Sequence, residues 1–162
     1  DKVYRFSRIT GPALSPFNAW VLSKSLETLA IRVDRHCENA LKLAEYLEDN
    51  ERVNWVKYPF LKSHPKYEVA KKQMKAGGCV VAFEVKGGLN AGRDFFDSIK
   101  LLSLSANLGD SRTIVTHPAS TTHSKLSTEE RAAVGISDGT VRISVGLEHI
   151  DDIIADIAQA LG

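Results

Sequence analysis

Arg142 stands in the middle of a short apolar run, Val141-Arg142-Ile143-Ser144-Val145, bracketed by Gly139 and Gly146. An arginine keeps its charge at any working pH, and its planar fork matches a carboxylate or a phosphate. Two readings are open: a binder for the anionic group of a small substrate, or an edge-strand arginine paired to a structural Asp or Glu. Two loops could join it, residues 105–110 and 116–124. The second carries His117, His123 and the hydroxyls of Thr116, Ser120, Thr121, Thr122 and Ser124. It could be a hydrolase loop, with Ser120 as nucleophile and His117 or His123 as base. No G-x-S-x-G elbow supports that. It could hold zinc through His117, His123 and an acid, although the spacing fits no common ligand set. It could also be a polar loop whose hydroxyls satisfy their own backbone, which is what its composition favours.

The elements that must position these residues follow from hydrophobic periodicity. Val141, Ile143 and Val145 alternate with Arg142 and Ser144, so a strand has one apolar face and one face carrying a guanidinium and a hydroxyl. Ile150, Ile153, Ile154, Ile157 and Leu161 then lie on one helix face, with Asp151 and Asp152 in the first turn where the helix dipole favours them. Residues 1–10 predict a terminal helix or arm, broken at Gly11-Pro12. Ser15 as N-cap and Pro16 at the first position open a helix. No Gly or Pro follows until Asp49, which predicts one helix roughly 50 Å long at about 1.5 Å per residue. Its first half, from Phe17 through Trp20, Val21 and Leu22 to Val33, is apolar nearly all round, which predicts burial on several sides. Its second half is an ordinary amphipathic stripe through Cys37, Ala40, Leu41, Ala44 and Leu47.

Strands are expected at 53–58, 79–85, 101–105 and 112–116, the second of them apolar enough for both faces to be covered. Helices are expected from His64-Pro65 to about Met74, over 89–99, and from the capping box Ser127-Thr128-Glu129-Glu130 to Gly135. This pattern predicts an α/β protein of the α+β two-layer sandwich type, with a mostly antiparallel sheet and helices on one face. Residues 1–50 form an arm and a long connecting helix, and 51–162 a small α/β domain.

A formal net charge of +1 over 162 residues, with no basic cluster, gives no electrostatic case for nucleic acid or an anionic membrane. No apolar run is long enough to span a bilayer. Cys37 and Cys79 read as reduced, buried thiols of a cytoplasmic protein rather than metal ligands. Neither G-x-G-x-x-G nor G-x-x-x-x-G-K-[ST] is present, which argues against a nucleotide site. The chain opens on Asp1 and runs straight into helical material, which predicts a piece of a longer protein.

Five stretches, taken together and in order, carry a resemblance. They are Ser15-Pro16-Phe17-Asn18-Ala19-Trp20, residues 36–40, Ser105-Ala106-Asn107-Leu108-Gly109-Asp110, residues 117–123, and Val141-Arg142-Ile143-Ser144-Val145-Gly146-Leu147-Glu148. Together they resemble the C-terminal part of the Cys/Met-metabolism family of pyridoxal-phosphate enzymes, and within it the O-acetylhomoserine sulfhydrylase branch. The resemblance implies the small C-terminal domain of a fold-type I PLP-dependent transferase. It implies Arg142 as the residue that holds the substrate α-carboxylate and Asn107 as a second contact, where the family's cystathionine γ-synthases and lyases usually have serine. It also implies that the Schiff-base lysine, the pyridine-nitrogen aspartate and the phosphate-binding glycines lie in a large domain absent from this chain. Lys24, in Ser23-Lys24-Ser25, does not match the lysine motif and reads as a helix-surface residue. No catalytic, cofactor-binding or metal-binding residue is then expected here.

The implied reaction uses pyridoxal 5'-phosphate as electron sink while acetate leaves O-acetylhomoserine and sulfide or a thiol adds to give homocysteine, in a cytoplasmic homotetramer. The alternatives are O-succinylhomoserine sulfhydrylase, cystathionine γ-synthase or γ-lyase, methionine γ-lyase, or a solitary inert domain.

Overall fold

The computed structural model describes residues 1–11 and 14–162. The chain divides into two compact units, Asp1–Arg32 and Val33–Gly162. In the first, α1 (Lys2–Thr10) ends at Gly11, whose φ of 74° makes it a left-handed cap. Pro12, the other half of the expected break, lies outside the described residues. Helix α2 (Pro16–Leu26) starts as the sequence predicts, with Ser15 Oγ accepting from the Asn18 N–H at 3.2 Å.

The single long helix is corrected: α2 and α3 (Leu29–Glu48) are separated at Glu27-Thr28. Short polar side chains compete for the backbone at this point. Ser25 Oγ donates to Val21 O at 2.8 Å, a bond that bends helices, and Arg32 Nη2 donates to Ser25 O at 2.6 Å. Within this chain the apolar residues of the first half lie exposed. Trp20 is 59% exposed, Leu26 66% and Ile31 72%. So much apolar surface on one segment is unusual for a chain that works alone. The 162-residue chain on its own is therefore expected to self-associate; a monodisperse monomer in static light scattering without detergent would contradict this.

In the second unit, β1 (Val53–Lys57), β2 (Val80–Val85), β3 (Ser103–Leu104), β4 (Ile114–Thr116) and β5 (Thr140–Ser144) form one sheet in the order β1-β2-β5-β4-β3. Every pairing is antiparallel except the parallel β3–β4 edge. The mostly antiparallel sheet is as expected. Strand β2 is not covered on both faces: Val81, Phe83 and Val85 are buried, while Val80, Ala82 and Glu84 are half-buried. Strand β3 is shorter than the sequence predicts, because the N–H groups of Leu101 and Leu102 go to the Asp156 carboxylate instead of a neighbouring strand. Helix α4 (Tyr67–Gln73) starts late, since His64 first closes a turn by accepting from Lys66 N and Tyr67 N.

Val81, Phe83, Val115, Val141, Ile143 and Val145 form the apolar sheet face. Over it pack the buried residues of α3, from Ala40 to Leu47, with Phe95 of α5 (Gly88–Ser98) and Ile150, Ile153 and Ile157 of α7 (Ile150–Leu161). Phe83 and Phe95 meet edge-on, with ring centroids 5.8 Å apart. The opposite sheet face carries Arg142 and Ser144 on β5, Ala82 on β2 and Thr116 on β4. The short α6 (Thr128–Ala133) begins at the capping box, with both reciprocal bonds between Ser127 and Glu130 present.

Candidate functional site

Arg142 sits on the central strand, opposite Ala82 of β2 on one side and Thr116 of β4 on the other. Its half-buried side chain sends Nη2 to the carbonyl of Ala106 at 2.8 Å. Its Nε is buried without a hydrogen-bond partner among the described residues. No carboxylate of the described residues lies within 4.0 Å of the guanidinium. The edge-strand ion pair therefore finds neither its edge nor its acid. A central strand hands this face a cation whose charge nothing nearby neutralises, and an orphan buried N–H is a costly feature that ordinary packing removes.

The 105–110 loop crosses the same face. Ala106 O receives Arg142, and Gly109 N donates to Ser144 Oγ at 3.0 Å. Asn107 lies between these anchors, exposed; its backbone N–H reaches Ser105 Oγ at 3.4 Å, and its side-chain amide has no partner among the described residues. Asp110 closes the loop by accepting from Arg112 N at 3.0 Å, and that bond holds its carboxyl below the usual carboxylate range.

Behind Arg142 the chain is fixed by groups whose roles the sequence did not reveal. His36 Nδ1 donates to Val145 O at 2.6 Å, and Asn39 Nδ2 donates to Gly146 O and Glu148 O, both at 3.0 Å. The Glu148 carboxylate receives Thr113 N at 2.7 Å and Thr113 Oγ1 at 2.8 Å. A side chain at Gly146 would strike the Glu148 carboxylate and the backbone of Arg112 and Thr113, so only glycine fits. Thus α3 clamps the turn that follows β5. Placing a buried His and Asn three residues apart on a helix face was the one available hint.

The 116–124 loop brings Ser120 to His117: Nδ1 and Ser120 Oγ are 2.8 Å apart, and Nε2 lies 2.9 Å from Asp138 O. A carbonyl only accepts, so Nε2 carries the proton and Nδ1 accepts the serine hydroxyl. The nucleophile–base pair of the hydrolase reading is thus formed, but the group that orients the base is a backbone carbonyl rather than a carboxylate. His123 is elsewhere, with Nδ1 2.8 Å from Thr122 Oγ1. Among the described residues no three His, Cys, Asp or Glu side chains converge as metal ligands. Thr121 Oγ1 donates to His117 O at 2.7 Å and meets Thr116 Oγ1 at 3.1 Å, as a self-satisfying polar loop would. Beside this loop a cleft of about 400 Å³ opens between Leu89 and Phe96 of α5, Leu104, Ala106, His117 and Ser120.

Lys24 is bonded to Glu27 at 2.8 Å on an exposed helix surface. That pairing does not suit a lysine that carries a cofactor.

A family model described as Cys/Met metabolism PLP-dependent enzyme matches residues 1–162. An O-succinylhomoserine sulfhydrylase from Mycobacterium tuberculosis is 51% identical over 98% of this chain and 40% of its own length. An L-methionine gamma-lyase from Treponema denticola is 51% identical over 94% of the chain and 38% of its own length. The crystal structure of a Campylobacter jejuni protein described as an O-acetylhomoserine (thiol)-lyase, holding N'-pyridoxyl-lysine-5'-monophosphate, superposes with a TM-score of 0.88. It is 42% identical, over 96% of this chain and 37% of that one. The chain spans about two fifths of the length of the curated relatives it matches.

Proposed function

The chain belongs to the Cys/Met metabolism PLP-dependent enzymes, and from that premise we propose that it supplies the carboxylate clamp of an O-acetylhomoserine sulfhydrylase. Arg142 is the clamp and Asn107 a second contact. The protein that contains this chain would make homocysteine from O-acetylhomoserine and sulfide. The observation that carries the reading is the Arg142 guanidinium, tethered through one nitrogen to Ala106 O and free of any acid within 4.0 Å among the described residues.

Pyridoxal phosphate, when bound, supplies the electron sink for departure of the γ-substituent. This chain's own contribution is orientation. With one hydrogen of Nη2 held by Ala106 O, Nη1 and the second hydrogen of Nη2 present a planar pair of donors to two carboxylate oxygens. A fork fixed before the substrate arrives leaves less motion to freeze on binding, and so holds the reacting carbons in register. The Asn107 amide, exposed on the tethered loop, is placed to donate to the same group. Asn107 in place of the serine usual in the family's cystathionine γ-synthases and lyases supports a sulfhydrylase over either.

The length shared with the relatives supports a further, cofactor-holding domain as partner; the tetramer rests on the family resemblance alone. Cys37 and Cys79 are both unpaired, which supports the cytoplasm, although Cys79 is only half-buried. Among the described residues no helix is long and apolar enough to cross a membrane.

The Mycobacterium tuberculosis relative favours a second reading in which the ester is succinyl. The test is to supply the full-length protein with sulfide and either O-acetylhomoserine or O-succinylhomoserine, and separately with methionine alone. Homocysteine is expected to form fastest from the acetyl ester. Preference for the succinyl ester would install the second reading, and faster cleavage of methionine than of either ester would remove both.

A further inference from the structure

We propose that Ser144 is a positioning residue for the carboxylate clamp, acting through the 105–110 loop; this rests on the reading of Arg142 given above. Arg142 and Ser144 are two apart on β5 and so share one sheet face, about 7 Å apart along the strand. Each holds one foot of the loop. Arg142 donates from Nη2 to the carbonyl of Ala106, and Ser144 accepts the N–H of Gly109. Between the feet, Asn107 and Leu108 form an exposed arch, Leu108 being 52% exposed.

Ser144 is 1% exposed, with Val80 of β2 and Ile114 of β4 opposite it across the sheet, so its hydroxyl is not there for solvation. The same hydroxyl lies 3.8 Å from Cys79 Sγ, where either atom can donate. The hydroxyl is thereby fixed from behind as well. Gly109 adopts a φ of 81°, which a residue with a Cβ rarely adopts, and its N–H points to Ser144 Oγ. The loop therefore has both the conformation and the acceptor needed to end on Ser144.

The consequence reaches Arg142. Ala106 O is the only partner of the guanidinium among the described residues, and the loop that carries this carbonyl is held at its far end by Ser144. Loss of the Ser144 hydroxyl frees the Gly109 foot, lets Ala106 O drift, and leaves the fork unaligned. Arg142 binds the carboxylate; Ser144 sets where Arg142 and Asn107 wait for it.

The test uses the full-length holoenzyme and two competitive inhibitors, L-norleucine and its decarboxylated counterpart n-pentylamine. Ser144→Ala is expected to weaken norleucine by about 3- to 10-fold, the scale of one lost partly buried hydrogen bond. Pentylamine should stay within about twofold, because it has no carboxylate to misplace. The KM for the amino-acid substrate should rise by the same factor as norleucine weakens. Arg142→Ala run in parallel separates the two claims. If it weakens both inhibitors alike, the clamp reading falls and this inference with it. If it weakens only norleucine while Ser144→Ala weakens both or neither, the assignment of Ser144 alone is overturned. Should Ser144→Ala fail to fold, the isosteric pair Ser144→Thr and Ser144→Val isolates the hydroxyl. Selective norleucine loss in the valine variant alone supports the inference, and equal behaviour of the pair overturns it.

Discussion

Arg142→Ala in the full-length enzyme lowers kcat/KM for its amino-acid substrate by about 30-fold to several thousand-fold. Truncating one side of a partly desolvated arginine–carboxylate pair costs about 2–5 kcal/mol, and each 1.36 kcal/mol is about tenfold in rate. Arg142→Lys recovers only part of this, because an ammonium is a point charge and cannot make a planar two-point contact. The cofactor's absorption spectrum is expected to stay as it is, since the proposed function has the cofactor held by a further domain. Folding should survive, because the side chain spends only one hydrogen bond, on Ala106 O, and leaves Nε unpartnered. Steady-state kinetics with circular dichroism as control decide the matter. A change within about threefold, or an unfolded protein, would return Arg142 to a structural role.

Asp156→Ala is the second large effect, and it falls on stability. Asp156 is 7% exposed on the inner face of α7. Its carboxylate collects three consecutive backbone donors, Lys100 N at 3.0 Å, Leu101 N at 2.8 Å and Leu102 N at 3.1 Å, while Gln159 Nε2 lies 3.2 Å from Oδ1. These N–H groups belong to the segment between α5 and β3, so the aspartate ends one element and starts the next. Alanine leaves three donors without an acceptor, at a cost of about 2–4 kcal/mol. Asp156→Asn should fall between, because its amide keeps one oxygen and turns an NH₂ toward groups that also donate. Urea unfolding followed by far-ultraviolet circular dichroism reads the shift; a midpoint change worth less than about 0.5 kcal/mol would refute the assignment.

What the sequence disclosed was local. The alternation around Arg142, the apolar face of α7 and the capping box at Ser127 each depend on residues a few positions apart, and each appears in the structure where the pattern predicts. What it concealed depends on partners far along the chain. Asp156 sits among the isoleucines of α7 as an ordinary helix carboxylate until Lys100–Leu102 is brought to it, and that encounter is also what shortens β3. Glu148 looks like a surface residue until Thr113 arrives, and the hydroxyl of Ser144 looks like alternation until Gly109 turns toward it. The break between α2 and α3 is hidden in the sequence for another reason. No Gly or Pro marks it, and it arises where Ser25 and Arg32 side chains bond to backbone carbonyls. Arg142 was legible from its place in the strand as an anion binder or a structural ion pair; the α-carboxylate as its ligand, and Asn107 as a second contact, came only from the resemblance.

The strand order β1-β2-β5-β4-β3 places at the centre the strand that comes fifth along the chain. The strands that pair as β1–β2 and as β3–β4 are all made before β5. The two pairs cannot join until Thr140–Ser144 has emerged to lie between them. Until then β2 and β4 each carry an open edge of unpaired N–H and C=O groups, the kind of edge that captures a neighbouring chain. The strand that bears Arg142 is thus also the closing piece of the sheet. Ribosome pausing before residue 140 would prolong the interval in which nascent copies can pair with one another.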